Sequence, residues 1–529
     1  MKKLFILFAA AIAVSAYGQK PAAPTKAPAN WFNLSYSTDM VHGVGTERTY
    51  TDLVKGKTPD TIIVAVIDGG VDYTHEDLVD VMWHNPGEIP NNGIDDDKNG
   101  YIDDVYGWNF IGGKDGKNVQ YDNLELVRLY RPLNKKYKNR DATSISTSEQ
   151  AEYNQYLSLK ADYDKELAQW QGLQKQMTML KGYIRDIRVQ AKSDTATFDN
   201  FKAFEPGEKY KRMHFMIKLV MKTPEDWSKF QTEIAEGAVE VNNHLDYALN
   251  LDYDPRDIVG DNYEDPSERF YGNPDVKGPD ALHGTHVAGI IAANRGNNLG
   301  ILGVNSAVKI MAVRVVPNGD ERDKDVANGI RYAVDNGAKI INMSFGKGYS
   351  YNKGIVDDAV KYAESKGVLI VHAAGNDNKD NDKGNNFPNA RYESGGVATN
   401  WIEVGALSWQ SGKHVVAPFS NYGQTTVNVF APGVDINSCK SNGGYIDESG
   451  TSMASPVTAG VAAFIKCYFP NLTPAQIKQV IEQSTDKSMA KKKVIKPGEK
   501  KKKIKFKKLS TTGGMVDLYA AFKLAETMK

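Results

Sequence analysis

The chain reads as an α/β protein, a mostly parallel β-sheet flanked by helices on both faces, with an inserted α-helical hairpin or bundle. Three observations predict this. From residue 283 onward, short apolar runs alternate with helical stretches, the βαβ rhythm of a parallel sheet. The run Val64-Ala65-Val66-Ile67 is apolar without interruption, as a strand buried on both faces must be. Between 112 and 259 the apolar period lengthens to three or four residues, the spacing of one helix face.

Taken in order, Met1-Lys2-Lys3, the apolar stretch Leu4 to Val14 and the small residues around Ala16 to Gly18 form a secretory signal peptide, 1–18. It is too short for a comfortable membrane span, and no later run is long and apolar enough for a transmembrane segment. Residues 19–30 are rich in Pro and Ala and read as a flexible leader. A first sheet portion occupies 31–111, the helical insertion 112–259 and the second sheet portion 260–529.

In the insertion, Tyr163, Leu167, Trp170, Leu173, Met177, Leu180, Ile184 and Ile187 make one stripe. Trp227, Phe230, Ile234, Val241 and Leu245 make a second, opened by Thr223-Pro224-Glu225-Asp226 with a capping residue, a first-turn proline and first-turn acids. Strands are predicted at Lys309 to Val316, Lys339 to Ser344 and Val368 to Ala373, with helices around Asp325 to Asn336 and Ile355 to Ser365. Leu472-Thr473-Pro474 starts another capped helix. Lys491 to Lys508 is strongly basic and carries Pro497-Gly498 between alternating segments, which predicts a β-hairpin. Its lysines suit the guarding of an exposed edge, with docking to an anionic envelope surface as the alternative.

Composition bounds the function. The 529 residues carry 65 basic and 65 acidic side chains, so no global field draws the chain to nucleic acid or to a charged membrane surface. The two cysteines, Cys439 and Cys467, are expected to be buried free thiols, since a fold of this size needs no staple.

Three segments carry chemistry. Asp68 ends the apolar run before two glycines, at the strand end where open α/β sheets place their sites. His283 opens an apolar helix in His283-Gly284-Thr285-His286. Ser452 sits among small residues in Gly450-Thr451-Ser452-Met453-Ala454-Ser455-Pro456, at a helix start whose partial positive charge suits an oxyanion. His283 and His286 do not have the spacing of a zinc peptidase pair and enclose no Glu.

Asp, His and Ser in that order resemble the subtilisin-like serine proteases. Ala373-Ala374-Gly375-Asn376 is similar to that family's oxyanion motif, and Ser344-Phe345-Gly346 to its substrate-binding strand. The short helix at Gly45 to Tyr50 and a closing helix at Met515 to Ala525 also match the family's pattern. The resemblance covers roughly 31–111 and 260–529. It implies Ser452 as nucleophile, His283 as general base, Asp68 as its orienting partner and Asn376 as oxyanion donor. It further implies Ser344, Phe345, Gly346 and Gly375 along the substrate, with Asp377 and Asn386 near the specificity pocket. The chain departs from the family in the 215 positions between Asp68 and His283. Only about fifty residues separate the signal peptide from Asp68, which leaves no room for a folded inhibitory propeptide.

Asp95-Asp96-Asp97-Lys98-Asn99-Gly100-Tyr101-Ile102-Asp103 resembles the oxygen-rich first part of an EF-hand loop, without its terminal Glu. Asp95, Asp97, Asn99 and Asp103 are the predicted calcium ligands. The family resemblance adds Asp77 and Asn297 as a second calcium position. The expected protein is an exported bacterial enzyme, periplasmic or secreted, monomeric and calcium-stabilised, acting on protein or peptide substrates. The helical insert or basic hairpin would offer docking surfaces. The alternative is a non-catalytic envelope binding protein that presents the insert.

Overall fold

The computed structural model describes residues 26–528. The signal peptide at 1–18 and the first part of the leader lie outside the described residues. Two compact units divide the chain. One is Leu126–Tyr253; the other joins the residues up to Glu125 with those from Asp254 on.

The larger unit is built on a seven-stranded sheet. Its strands are β1 (Ile62–Asp68), β2 (Gly107–Asn109), β3 (Val308–Arg314), β4 (Ile340–Met343), β5 (Leu369–Ala373), β6 (Trp401–Leu407) and β7 (Val429–Pro432). They run in the order β2-β3-β1-β4-β5-β6-β7, every pair parallel.

Alternation along the strands sorts the core into two layers. Val64 and Val66 of β1 face a layer shared with the helices Leu282–Ala292 and Thr451–Tyr468. Ala65 and Ile67 face the layer of helices Asp323–Asp335 and Lys353–Ser365. Both faces are covered, which is why these strands read as unbroken apolar runs. Two small hairpins complete the unit: β8 (Ile436–Cys439) with β9 (Tyr445–Glu448), and β10 (Lys493–Ile495) with β11 (Lys503–Lys505). Cys439 and Cys467 are buried and free.

The smaller unit is helical. Its spine is a 42-residue helix, Gln150–Ala191, about 63 Å long at 1.5 Å per residue. Pro224–Asn243 lies antiparallel to it: Met177 approaches Gly237, Gln174 bonds Asn242 and the Trp170 ring stacks on His244. The shorter helices Phe198–Ala203 and Lys211–Val220 close a core around Tyr183, Phe201 and Trp227. Thr223 caps its helix reciprocally with Asp226.

This unit is narrower than the predicted insertion, 112–259, because both flanks belong to the sheet unit. Arg322 binds Asp122 on the outgoing flank (2.7 Å) and Asp254 on the returning one (3.0 Å). Lys347 binds Glu125 at 2.6 Å, and Arg256 binds Asp325 at 2.7 Å. These contacts are polar and long-range, so they leave no periodic signal in the sequence.

Candidate active site

The C-terminal edge of the sheet gathers the predicted residues. Asp68 is the last residue of β1 and is buried. Its Oδ1 accepts the Gly69 N–H (2.7 Å) and faces His283 Nδ1 at 2.8 Å. The buried Oδ2 has no hydrogen-bond partner among the described residues, which leaves the carboxylate disposed toward a positive neighbour. His283 can come this close because the next residue is glycine. A Cβ on Gly284 would lie 2.2 Å from the Gly70 carbonyl oxygen. Desolvation in the cleft opposes an imidazolium, but the Asp68 charge and hydrogen bond outweigh it and raise the His283 pKa. His286 lies one turn on, fully buried, with Nε2 at 3.0 Å from the Ile436 carbonyl; burial lowers its pKa to about 4. It pins the helix to β8 as a neutral ring.

Ser452 is the second residue of helix Thr451–Tyr468. Pro456 has no N–H, so the Ser452 carbonyl lacks its intrahelical donor. The Ser344 hydroxyl supplies one instead, at 2.9 Å, and the Ser452 hydroxyl donates back to the Ser344 carbonyl at 3.0 Å. Asn342 Nδ2 holds the Ser344 hydroxyl, and Ser455 holds Asn342 in turn. The helix that carries Ser452 is thereby fixed to the strand end that carries Ser344, Phe345 and Gly346. In this resting arrangement the Ser452 hydroxyl is not bonded to His283, a contact that often tightens only with substrate present.

Asn376 follows β5. The Thr451 N–H (2.8 Å) and hydroxyl (3.0 Å) both donate to its Oδ1, which fixes the amide orientation and directs Nδ2 toward the serine. The space beside Gly450 makes this concrete. A Cβ there would lie 3.4 Å from Asn376 Nδ2 and 3.5 Å from the Ser452 nitrogen. Both nitrogens therefore border one small opening. The Ser452 N–H is one of the unpaired donors of a helix start, where partial positive charge accumulates.

Beside this opening, Gly346 and Gly375 border a slot filled by Asn386. A Cβ on Gly346 would meet Asn386 Oδ1 at 2.6 Å, and one on Gly375 would meet it at 3.5 Å. Asn386 Nδ2 donates to the Ala373 carbonyl. Gly375, at φ +100°, sits in the backbone region that glycine tolerates. Phe345 is half-buried and meets the His372 ring edge-on. Asp377 points outward, 55% exposed and 3.6 Å from Lys379. This constellation can take a proton from a hydroxyl, hold the imidazolium that results and bind a developing oxyanion.

Residues 60–504 match the Subtilase family. The chain belongs to the Subtilase family. This subtilase is 44% identical over 206 residues to a thermophilic serine proteinase from a Bacillus strain, covering 39% of this chain and 47% of that one. It is 42% identical over 203 residues to a thermostable alkaline protease of Halalkalibacterium halodurans, covering 38% and 52%. It is 41% identical over 208 residues to thermitase of Thermoactinomyces vulgaris, covering 39% and 67%. The chain spans about half the length of the first of the curated relatives it matches.

The acidic loop of this subtilase differs in part from its prediction. Carboxylate oxygens of Glu88, Asp95 and Asp97 lie within 4.8 Å of one another. Asn99 joins them through its bond to Asp97. Asp103 turns away: its carboxylate accepts the Asn92 and Gly93 N–H groups, while its own N–H is held by Glu88. Glu88 escapes sequence reasoning because it stands outside the EF-hand-like run. An all-oxygen donor set of this kind suits a hard cation such as calcium. At the other predicted position, Asp77 and Asn297 do meet, at 2.6 Å. However, Asn297 Oδ1 accepts the Leu299 N–H, and Tyr445 donates to Asp77. Donors thus meet Asp77 as they meet Asp95 and Asp97, where backbone N–H groups of Asn99 and Gly100 donate to the carboxylates.

Proposed function

We propose that this subtilase is an exported serine endopeptidase. Ser452 attacks the scissile carbonyl as His283 takes its proton, and His283 then returns that proton to the leaving amine. Asp68 holds the imidazole and stabilises its charged form. Asn376 Nδ2 and the Ser452 N–H bind the oxyanion. The substrate runs along Ser344, Phe345 and Gly346, and Asn386 limits the pocket beside Gly375. Calcium at Glu88, Asp95, Asp97 and Asn99 stabilises the folded chain by binding it alone.

The observation that carries this reading is the convergence of Asn376 Nδ2 and the Ser452 nitrogen beside a serine in the unit where Asp68 holds His283 at 2.8 Å. Two donor nitrogens bordering one opening beside a serine suit an oxyanion, for which a binding protein has no use. The test is casein cleavage and fluorophosphonate labelling by the wild type and Ser452→Ala. Labelling and cleavage in the wild type, with neither in the variant, support the assignment. An unlabelled wild type overturns it.

A further inference from the structure

We propose that the basic hairpin is a docking surface for an anionic lipid bilayer. Residues 491–508 hold eleven lysines, no arginine and one acid, Glu499, in a chain whose formal charge is zero. The hairpin is anchored, not loose. Val494 and Phe506 are fully buried with Phe430, Leu509 and Met515. The turn Lys496-Pro497-Gly498-Glu499 closes with a bond from the Glu499 N–H to the Lys496 carbonyl, and Gly498 takes φ +78°.

That anchorage presents the lysines outward. Lys491, Lys492, Lys493, Lys500, Lys501, Lys502, Lys503, Lys505, Lys507 and Lys508 are exposed. Lys493 pairs directly across from Lys505, where like charges repel. Among the described residues the hairpin's ion pair is Lys502 with Glu499, at 3.9 Å. Asp380 and Asp382 line one cavity with Lys496, Lys502, Lys503 and Lys508, but Asp382 also accepts from Thr425 and Thr426, and Asp380 lies 3.5 Å from Lys383. Ten exposed lysines on one hairpin exceed what guarding a strand edge needs, and their mutual repulsion favours an external anionic surface.

The chemistry of the patch selects the partner. It exposes no large apolar or aromatic side chain, so it has nothing to stack on bases and nothing to insert into a bilayer core. Lysine is a compact, hydrated charge suited to a diffuse field. A fixed array of lysines is what a headgroup layer attracts, each contributing about fivefold to binding.

The test uses full-length Ser452→Ala, which cannot digest itself, in sedimentation with phosphatidylcholine vesicles containing about 30% phosphatidylglycerol, at low salt and at about 0.5 M NaCl. Binding is expected at low salt only, and not to pure phosphatidylcholine. Adding Lys493→Gln, Lys501→Gln, Lys503→Gln and Lys505→Gln should weaken it more than tenfold. A charge-matched control with Lys165, Lys175, Lys181 and Lys229 changed to Gln should stay within twofold. The proposal falls if vesicles are not bound, if neutral vesicles bind equally, if both sets of substitutions act alike, or if heparin or DNA binds where vesicles do not.

Discussion

Gly284→Ala perturbs the candidate site without touching any group that would react. The added Cβ would stand 2.2 Å from the Gly70 carbonyl oxygen and 3.2 Å from the Asp68 Cβ. The obstacles are the turn after β1 and the last residue of β1, and the first is backbone, so no rotamer change relieves the clash. Relief to ordinary contact requires the helix to retreat by about 1 Å, a displacement that costs on the order of 10² in rate when it falls on a reacting group. His283 rides on that helix and leaves Asp68 with it. The expected result is a fall of about 10² in kcat/KM on a chromogenic peptide, with overpacking lowering stability by about 1–3 kcal/mol. Stopped-flow hydrolysis, fluorophosphonate labelling rate and thermal unfolding check this together. A folded variant with kcat/KM within twofold of wild type would refute the claim that this close approach sets the Asp–His geometry.

Three further predictions concern the same unit. Asp68→Asn removes the charge that raises the His283 pKa, so the acid limb of the kcat/KM profile should move to lower pH while kcat falls about 10⁴; an unmoved limb contradicts the assignment. Asn376→Ala should lower kcat by about 10²–10³ with little change in KM, and an equal effect confined to KM would make Asn376 a substrate contact instead. Asp95→Ala with Asp97→Ala should lower Tm in calcium and abolish the further drop that chelation causes in the wild type, as required if the ion binds the folded state alone; a chelator response that survives both changes points to a different site.

Much of this was legible in the sequence because the candidate residues sit where local patterns change. Asp68 ends an apolar run, His283 opens a helix, and Ser452 precedes one among small residues. The helical stripes were legible for the same reason, since Leu173, Met177, Ile184, Trp227 and Ile234 share one core. What escaped depends on contacts between distant segments. Glu88 meets Asp95 and Asp97 only after the loop folds back. Asn386 fills the slot beside Gly346, forty residues upstream, through a fit that no period announces. The flanks of the helical unit are tied by buried ion pairs, and charged residues at such positions look like any solvated surface. Pro456 was visible, but its effect on the Ser452 carbonyl requires knowing that Ser344 lies opposite.

Arg322 holds Asp122 and Asp254 at once, so the chain leaves for the helical unit and returns from it at a single guanidinium. The ends of that excursion are already joined within the sheet unit. Closing a loop between them therefore carries an entropy term that grows only logarithmically with what lies between. The sheet unit should accept replacement of Leu126–Tyr253 by a few glycines and serines and still fold. The same clasp makes this a position where evolution can exchange one module for another without redesigning the sheet.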